Sequence, residues 1–475
     1  MTKKIVFALM LILVLTISAC GPQATPTSQP PAATQPPAAT EPPAATQPPA
    51  ATEPPAAGAG VTELNILWAQ WDPADYLQQI ANTYEQETGV KVNIIQEPWG
   101  TFGDRFFTEM AAGGDAWDMV VGDSQWLGQG ATQGHYLDIT EFLVGEGIDK
   151  TVTPATLASY GEYPPDSGTY YAYPTEGDAD GWAYRKDLFE DPAEMAAFEA
   201  EYGYALAPPE TYEQLRDIAM FFTRPDADLY GLAIYTQADY DALTMGVENA
   251  FFSFGGQWQD ENNNVMGVVN SPEAIEGVEF YRSLYECCQA PGLSNAFFSE
   301  VNDAFIGGKV AMAMNYFAFF PALVNPQVNP HAAGTGFFVN PAGPRGDQFA
   351  ALGGQGMTII SYISPERQEA SKAFIRWFAQ EDIQVEWARA GGYTCNINVL
   401  ESDEFLNATP YNAAFAETMT FVKDFWNVPV FGELLLVAQT ELGKYIVNGE
   451  GSAEEAMNAI AEQHDAILTE AGLKK

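Results

Sequence analysis

From Val61 onward, short apolar runs alternate with stretches in which apolar residues recur every three or four positions, the pattern of strands interleaved with amphipathic helices. Leu64 to Leu67 reads as a strand. Asp72-Pro73 then looks like an N-cap followed by proline at the first helical position; Leu77, Ile80, Ala81 and Tyr84 share one face, and Gly89 supplies the stop. Lys91 to Ile95 is the next strand, and after a second helix Met119 to Val121 makes a third. Further helices start at Ser271-Pro272-Glu273, with Ile275, Val278, Tyr281 and Tyr285 inward, and at Ser364-Pro365-Glu366, with Ala370, Ala373, Phe374, Trp377 and Phe378 inward. Strand, helix, strand in this order predicts an α/β class with a parallel sheet whose ligands gather at the strands' carboxyl ends. The stretch from Val61 to Lys475 exceeds one comfortable core, so two lobes are expected.

The pattern is different before residue 61. Lys3 and Lys4 precede an apolar run from Ile5 to Leu15, shorter than the roughly 20 residues a bilayer span requires, and Ile17-Ser18-Ala19-Cys20 follows. This layout describes a secretory signal, and its last four residues resemble the lipobox of bacterial lipoproteins, which implies cleavage before Cys20 and a lipid on that cysteine. Residues 21–60 are almost pure linker, with Pro-Pro-Ala-Ala-Thr-Gln and Pro-Pro-Ala-Ala-Thr-Glu alternating from Pro30 onward. Such a tract is expected to be an extended, disordered tether of at most about 3.1 Å per residue.

Charge narrows the partners. The chain carries 63 acidic and 20 basic side chains, a formal charge of −43, which argues against nucleic acid because that partner requires a basic footprint. Besides Cys20 there are only Cys287, Cys288 and Cys395; a bridge from Cys395 to either neighbour is one reading and leaves one thiol over. His135, His331 and His464 are far apart and no Cys-x-x-Cys occurs, so no zinc site and no cofactor is expected.

Tyr84-Glu85-Gln86-Glu87-Thr88-Gly89-Val90-Lys91-Val92 and Gly114-Asp115-Ala116-Trp117-Asp118-Met119-Val120-Val121 resemble the first half of the family 1 extracellular solute-binding proteins of ABC importers. Later segments agree in order: Gly181-Trp182-Ala183-Tyr184-Arg185-Lys186-Asp187-Leu188-Phe189, Pro209-Glu210-Thr211-Tyr212-Glu213-Gln214-Leu215, Phe305-Ile306-Gly307-Gly308-Lys309-Val310-Ala311-Met312 and Leu352-Gly353-Gly354-Gln355-Gly356. The resemblance covers essentially all of residues 61–475. It implies a two-lobed, periplasmic-binding-protein-like (type II) clamp that closes on a solute in its cleft. Lobe 1 is expected at about 61–175 and 353–400, lobe 2 at about 176–352 and 401–475. It also implies a sugar-binding lipoprotein, monomeric, on the outer face of a membrane, delivering its solute to permease subunits.

Sugar rings present apolar C–H faces and a rim of hydroxyls, so their sites favour aromatic platforms beside planar polar groups. The candidates that follow the strands are Trp71 and Asp72, then Trp99, then Asp123, Ser124, Gln125 and Trp126. Glu176, Asp178, Asp180 and Trp182 cluster at the first cross-over; Tyr316 and Phe317 follow a late strand, and Gly354 and Gln355 offer amides. Trp258, Tyr393 and Trp426 lie in irregular segments. Trp68 and Trp117 read as core. Gly122 stands at the end of the third strand, where some maltose-binding members carry an aromatic. Competing readings are a cage of carboxylates for a polyamine or other cation, a calcium site at Asp178-x-Asp180 or Asp260-x-Asn262-x-Asn264, and a glycoside hydrolase using two acids. No Gly-x-Ser-x-Gly elbow or phosphate loop is present, and capture without catalysis is expected.

Overall fold

Two β-sheets organise residues 60–474, the part of the chain described by this computed structural model. The expected signal, Cys20 as the expected lipidation site, and the expected tether, apart from Gly60, lie outside the described residues. The strands in chain order are β1 (Glu63–Ala69), β2 (Lys91–Glu97), β3 (Met119–Asp123), β4 (Ala172–Glu176), β5 (Asp180–Arg185), β6 (Tyr230–Ala233), β7 (Val310–Tyr316), β8 (Thr335–Phe338), β9 (Ala350–Ala351), β10 (Gln355–Ile359) and β11 (Val422–Lys423). The first sheet has the order β2-β1-β3-β10-β4 and the second β6-β7-β5-β8, while β9 and β11 form a two-stranded bridge.

The sheets are mixed, which corrects the expectation of a parallel sheet. β1, β2 and β3 run parallel, as do β6 and β7, but β10 is antiparallel to β3 and β5 is antiparallel to β7. The reason is the path of the chain. It leaves the first sheet at the end of β4, crosses through Gly177-Asp178-Ala179 and enters the second at Asp180, opposite Tyr316 at the end of β7. β10 likewise begins with Gln355 opposite Asp123, the last residue of β3. A strand that enters from the carboxyl end of its neighbours must run against them.

Local chemistry accounts for the helices. The first spans Asp72–Thr88 and stops at Gly89, whose φ of 77° is the left-handed turn that glycine adopts without a Cβ penalty. Its N-cap is Trp71 with no side-chain cap bond, so Asp72 is not the cap the sequence suggests; it lies in the first turn with its carboxylate near the helix's positive end. Ser271 and Ser364 do cap, accepting from the amides of Ala274 and Arg367. In Pro272–Cys288 the buried face is Ala274, Gly277, Val278, Tyr281, Leu284 and Cys288, leaving Ile275 and Tyr285 at its margin rather than inward. The helix Pro365–Phe378 buries all five of its expected residues. It is also tied to the first sheet by Arg367, which donates twice at 2.5 Å to the fully buried Asp118, while the amide of Asn65 donates to the same carboxylate at 2.7 Å.

Cys287 and Cys288 are bonded to each other. Cys395 is a buried thiol beside Gly177, away from that helix end, so no bridge joins it to either neighbour. Burial pushes the thiol's pKa up, keeping it neutral. Among the described residues no helix is long and apolar enough to cross a membrane, and no cluster of three or more acidic, histidine or cysteine side chains is arranged to hold a metal. At Asp260 the carboxylate is engaged by Asn262 and Asn264 within its own turn.

Candidate binding site

The carboxyl ends of the parallel strands in both sheets open onto one cavity of about 300 Å³. Ligands of open α/β sheets collect at such ends because the loops that follow are free to vary while the strands hold them rigidly. From the first sheet come Trp71 after β1, Trp99 after β2, Asp123 at the end of β3 with Gln125 just beyond it, and Gly353-Gly354 before β10. The second sheet supplies Tyr316 at the end of β7 and the segment from Gln237 to Met245 after β6; Phe297, Phe298 and Phe319 close the side, and Asp178 stands at the cross-over.

Aromatic rings wall the cavity in two groups. Trp71 meets Trp99 edge-on at 5.3 Å between centroids, Trp99 meets Tyr240 at 5.8 Å, and Phe298 stacks on Phe319 at 4.2 Å. Trp71 and Trp99 are half-buried, which leaves ring surface facing the cavity. The two glycines allow close approach: a Cβ at Gly353 would overlap the Tyr316 ring, and one at Gly354 would stand 2.6 Å from the Glu176 carbonyl oxygen.

Asp123 is fixed by a relay. The Trp68 indole donates to Gln355 Oε1 at 2.5 Å, the Gln355 amide donates to Asp123 Oδ1, and the Tyr240 hydroxyl donates to Asp123 Oδ2. A weaker contact, Gln125 Nε2 to Asp241 Oδ2 at 3.4 Å, also joins a residue of the first sheet to the loop after β6. These contacts span the cleft. Burial pushes the Asp123 carboxyl above its ordinary range while the bonds from Gln355 and Tyr240 oppose the shift. Burial likewise raises Asp178, and raises Asp241 with the nearby Asp123 charge adding to the effect.

Several candidates from the sequence lie elsewhere. Glu176, Asp180 and Gln355 are fully buried one layer behind the lining: Glu176 accepts from the Tyr393 amide at 3.1 Å and Asp180 from Asn249 at 2.7 Å. Ser124 is buried beside Asp123, and Trp126 packs on Phe102 and Phe106 beneath the first sheet's surface. Trp182 stacks on Phe338 and donates to Asn340, so it is core of the second sheet. Trp258 and Trp426 pack against each other at 4.5 Å, Phe317 sits against Phe320 and Phe415, and the Tyr393 hydroxyl donates to the Phe317 carbonyl. None of these lines the cavity, and neither does the exposed Asp72. The sequence reading missed Gln237, Asp239, Tyr240, Asp241, Met245, Phe297, Phe298, Phe319 and Gly100. The first four follow β6 directly, so the strand-end rule that singled out Trp71 and Trp99 would have reached them had β6 been recognised.

The pattern of the bacterial extracellular solute-binding proteins matches residues 70–385, a span that begins just after β1, runs past the helix that follows β10 and includes every lining residue. The chain belongs to this family. Among relatives of this solute-binding protein, a probable ABC transporter-binding protein of Deinococcus radiodurans is 23% identical over 73% of this chain and 79% of its own length. A mannitol-binding protein of Pseudomonas aeruginosa is 26% identical over 44% of this chain and 45% of its own. Of solved structures, a solute-binding protein of Agrobacterium radiobacter in complex with ribitol superposes with a TM-score of 0.73 at 22% identity, covering 86% of this chain and 99% of that one. Maltose-bound MalE3 of T. maritima gives 0.73 at 24%, covering 86% and 100%. These place the chain in the two-lobed solute-binding fold. It is an extracytoplasmic solute-binding protein of an ABC transporter, a class that works with permeases and whose members here are transport proteins, not enzymes.

Proposed function

We propose that this solute-binding protein captures a small carbohydrate or polyol by lobe closure and hands it to membrane permease subunits. One observation carries the reading: a cavity at the carboxyl ends of both sheets is walled by Trp71, Trp99 and Tyr240 and rimmed by carboxylates and amides. Such a wall fits the C–H faces of a sugar, and the rim fits its hydroxyls. The volume of about 300 Å³ lies at the lower end of the roughly 300–1,000 Å³ span of small-molecule sites, which favours a short ligand over a long oligosaccharide. Ligands named for the relatives, ribitol, mannitol and maltose, belong to the same chemical class. In this reading Cys20 carries a lipid, and the Pro-rich tract holds the clamp away from the membrane.

The test is a thermal-shift screen of polyols, monosaccharides and disaccharides. A solute that binds only the folded state adds about 2.7 kcal/mol of stability at a hundredfold excess over Kd. A shift with a sugar or polyol that disappears in Trp99→Ala is expected; no shift with any carbohydrate, alongside a shift with amino acids or linear polyamines, overturns the reading.

A further inference from the structure

The cavity is electrically one-sided. Asp123, Asp178, Asp239 and Asp241 line it, and no lysine, arginine or histidine does. Asp123, Asp178 and Asp241 are 8%, 2% and 6% exposed, so water reaches them little. Their partners are neutral donors: Gln355 and Tyr240 for Asp123, the amides of Ala179 and Ala318 for Asp178, and Gln125 for Asp241. No salt bridge among the described residues reaches any of the four.

A second feature points to an absent occupant. Tyr316, 6% exposed and lining the same cavity, has a hydroxyl with no hydrogen-bond partner, and the Trp71 indole N–H is likewise unpartnered. A buried donor left unmade costs free energy unless a ligand meets it.

A neutral sugar satisfies donors and acceptors but gives these carboxyls, which burial pushes toward the protonated form, no counter-charge that would hold them ionised. An ammonium group does both, because it brings opposite charge into a poorly solvated site and is attracted to the faces of Trp and Tyr rings. A fully aliphatic polyamine would use the aspartates yet leave the unpaired Tyr316 hydroxyl and Trp71 N–H without acceptors, which a sugar's hydroxyl and ring oxygens provide. We propose that the solute of this cavity is a carbohydrate bearing a protonated amine, its ammonium held by the aspartates and its ring by the Trp71, Trp99 and Tyr240 wall. This rests on the carbohydrate reading above and narrows it.

The experiment is calorimetric titration of the full chain with matched frames: cellobiose, the corresponding glucosamine disaccharide and its N-acetylated form, with mannitol, maltose and spermidine alongside. The free amine should bind at least about tenfold tighter than its hydroxyl and acetyl counterparts. Asp241→Asn should remove most of that lead. Asp239→Asn, at an exposed position that carries no core packing, should reduce it without touching the fold. Neutral carbohydrates binding as well as or better than the amine overturns the proposal and leaves the carbohydrate reading standing, and no binding by the amine overturns the proposal. Binding of spermidine alone overturns both.

Discussion

Asp180 offers a measurable consequence of the carboxyl buried behind the site. It opens β5, is fully buried, and has one oxygen bonded to Asn249 at 2.7 Å and the other unpartnered. Asn249 is itself engaged by the amide of Ala351 at 2.9 Å and by Asn340, so it cannot turn to offer more. Burial therefore pushes the Asp180 carboxyl from an ordinary value near 4 up to about 8, and the Asn249 bond only partly opposes it. Between those two values the folded state keeps a proton that the unfolded state has lost, so stability falls as pH rises from about 4 to about 8. At pH 7 the cost is about 4 kcal/mol, taking 1.36 kcal/mol per unit. Below pH 4 both states are protonated and the cost vanishes. Asp180→Asn removes the titration while keeping the shape. Any offset from its unpaired amide hydrogens is independent of pH and cancels between two pH values. Urea unfolding followed by tryptophan fluorescence at pH 5 and pH 8 should therefore show the variant gaining on the parent by about 3–4 kcal/mol across that interval. A difference that changes by less than about 1 kcal/mol, or in the other direction, refutes the assignment of a buried protonated carboxyl.

Two further outcomes follow from named contacts. Arg367→Ala strips the fully buried Asp118 of its bidentate partner and should cost about 3 kcal/mol in urea unfolding, with Asp118→Asn added to it recovering part of the loss because no buried charge then remains; a cost below about 1 kcal/mol for the single variant would contradict this. Cys20→Ser should move the protein from the membrane fraction to the soluble fraction of secreting cells, since a lipidated cysteine is the proposed anchor and the described residues contain no spanning helix; unchanged fractionation would sink the anchor.

Much of the fold was legible locally. The Asp72-Pro73 start, the Gly89 stop and the Ser271-Pro272 and Ser364-Pro365 starts are all decided within a turn or two of backbone, by proline's fixed φ, glycine's missing Cβ and a hydroxyl within reach of an amide. Trp71 and Trp99 were legible for a similar reason, each standing two residues beyond the end of a clearly bounded strand. β6 was not, because its four residues Tyr-Gly-Leu-Ala are too short to show a period, and with it the loop carrying Tyr240 and Asp241 went unseen.

What the sequence by itself determined is therefore the α/β class, the two-core size, the family resemblance and the acidic, aromatic-rich character of the chain, all properties of composition and short-range spacing. Only the tertiary structure decided which aromatics and acids share a cavity. Trp182, Trp258 and Trp426 have the same chemistry as Trp71 and Trp99, yet stacking on Phe338, Phe251 and Phe425 spends them in cores. The strands β5 and β10 reverse because the chain crosses between sheets at their carboxyl ends, and that crossing places Asp178 in the cavity while Asp180, two residues on, points behind it. Side chains two apart in an extended segment share a face only while the strand continues, and the cross-over ends that regularity; no local pattern carries the information, because Asn249, which holds Asp180, and Ala318, which holds Asp178, are more than sixty residues away in sequence.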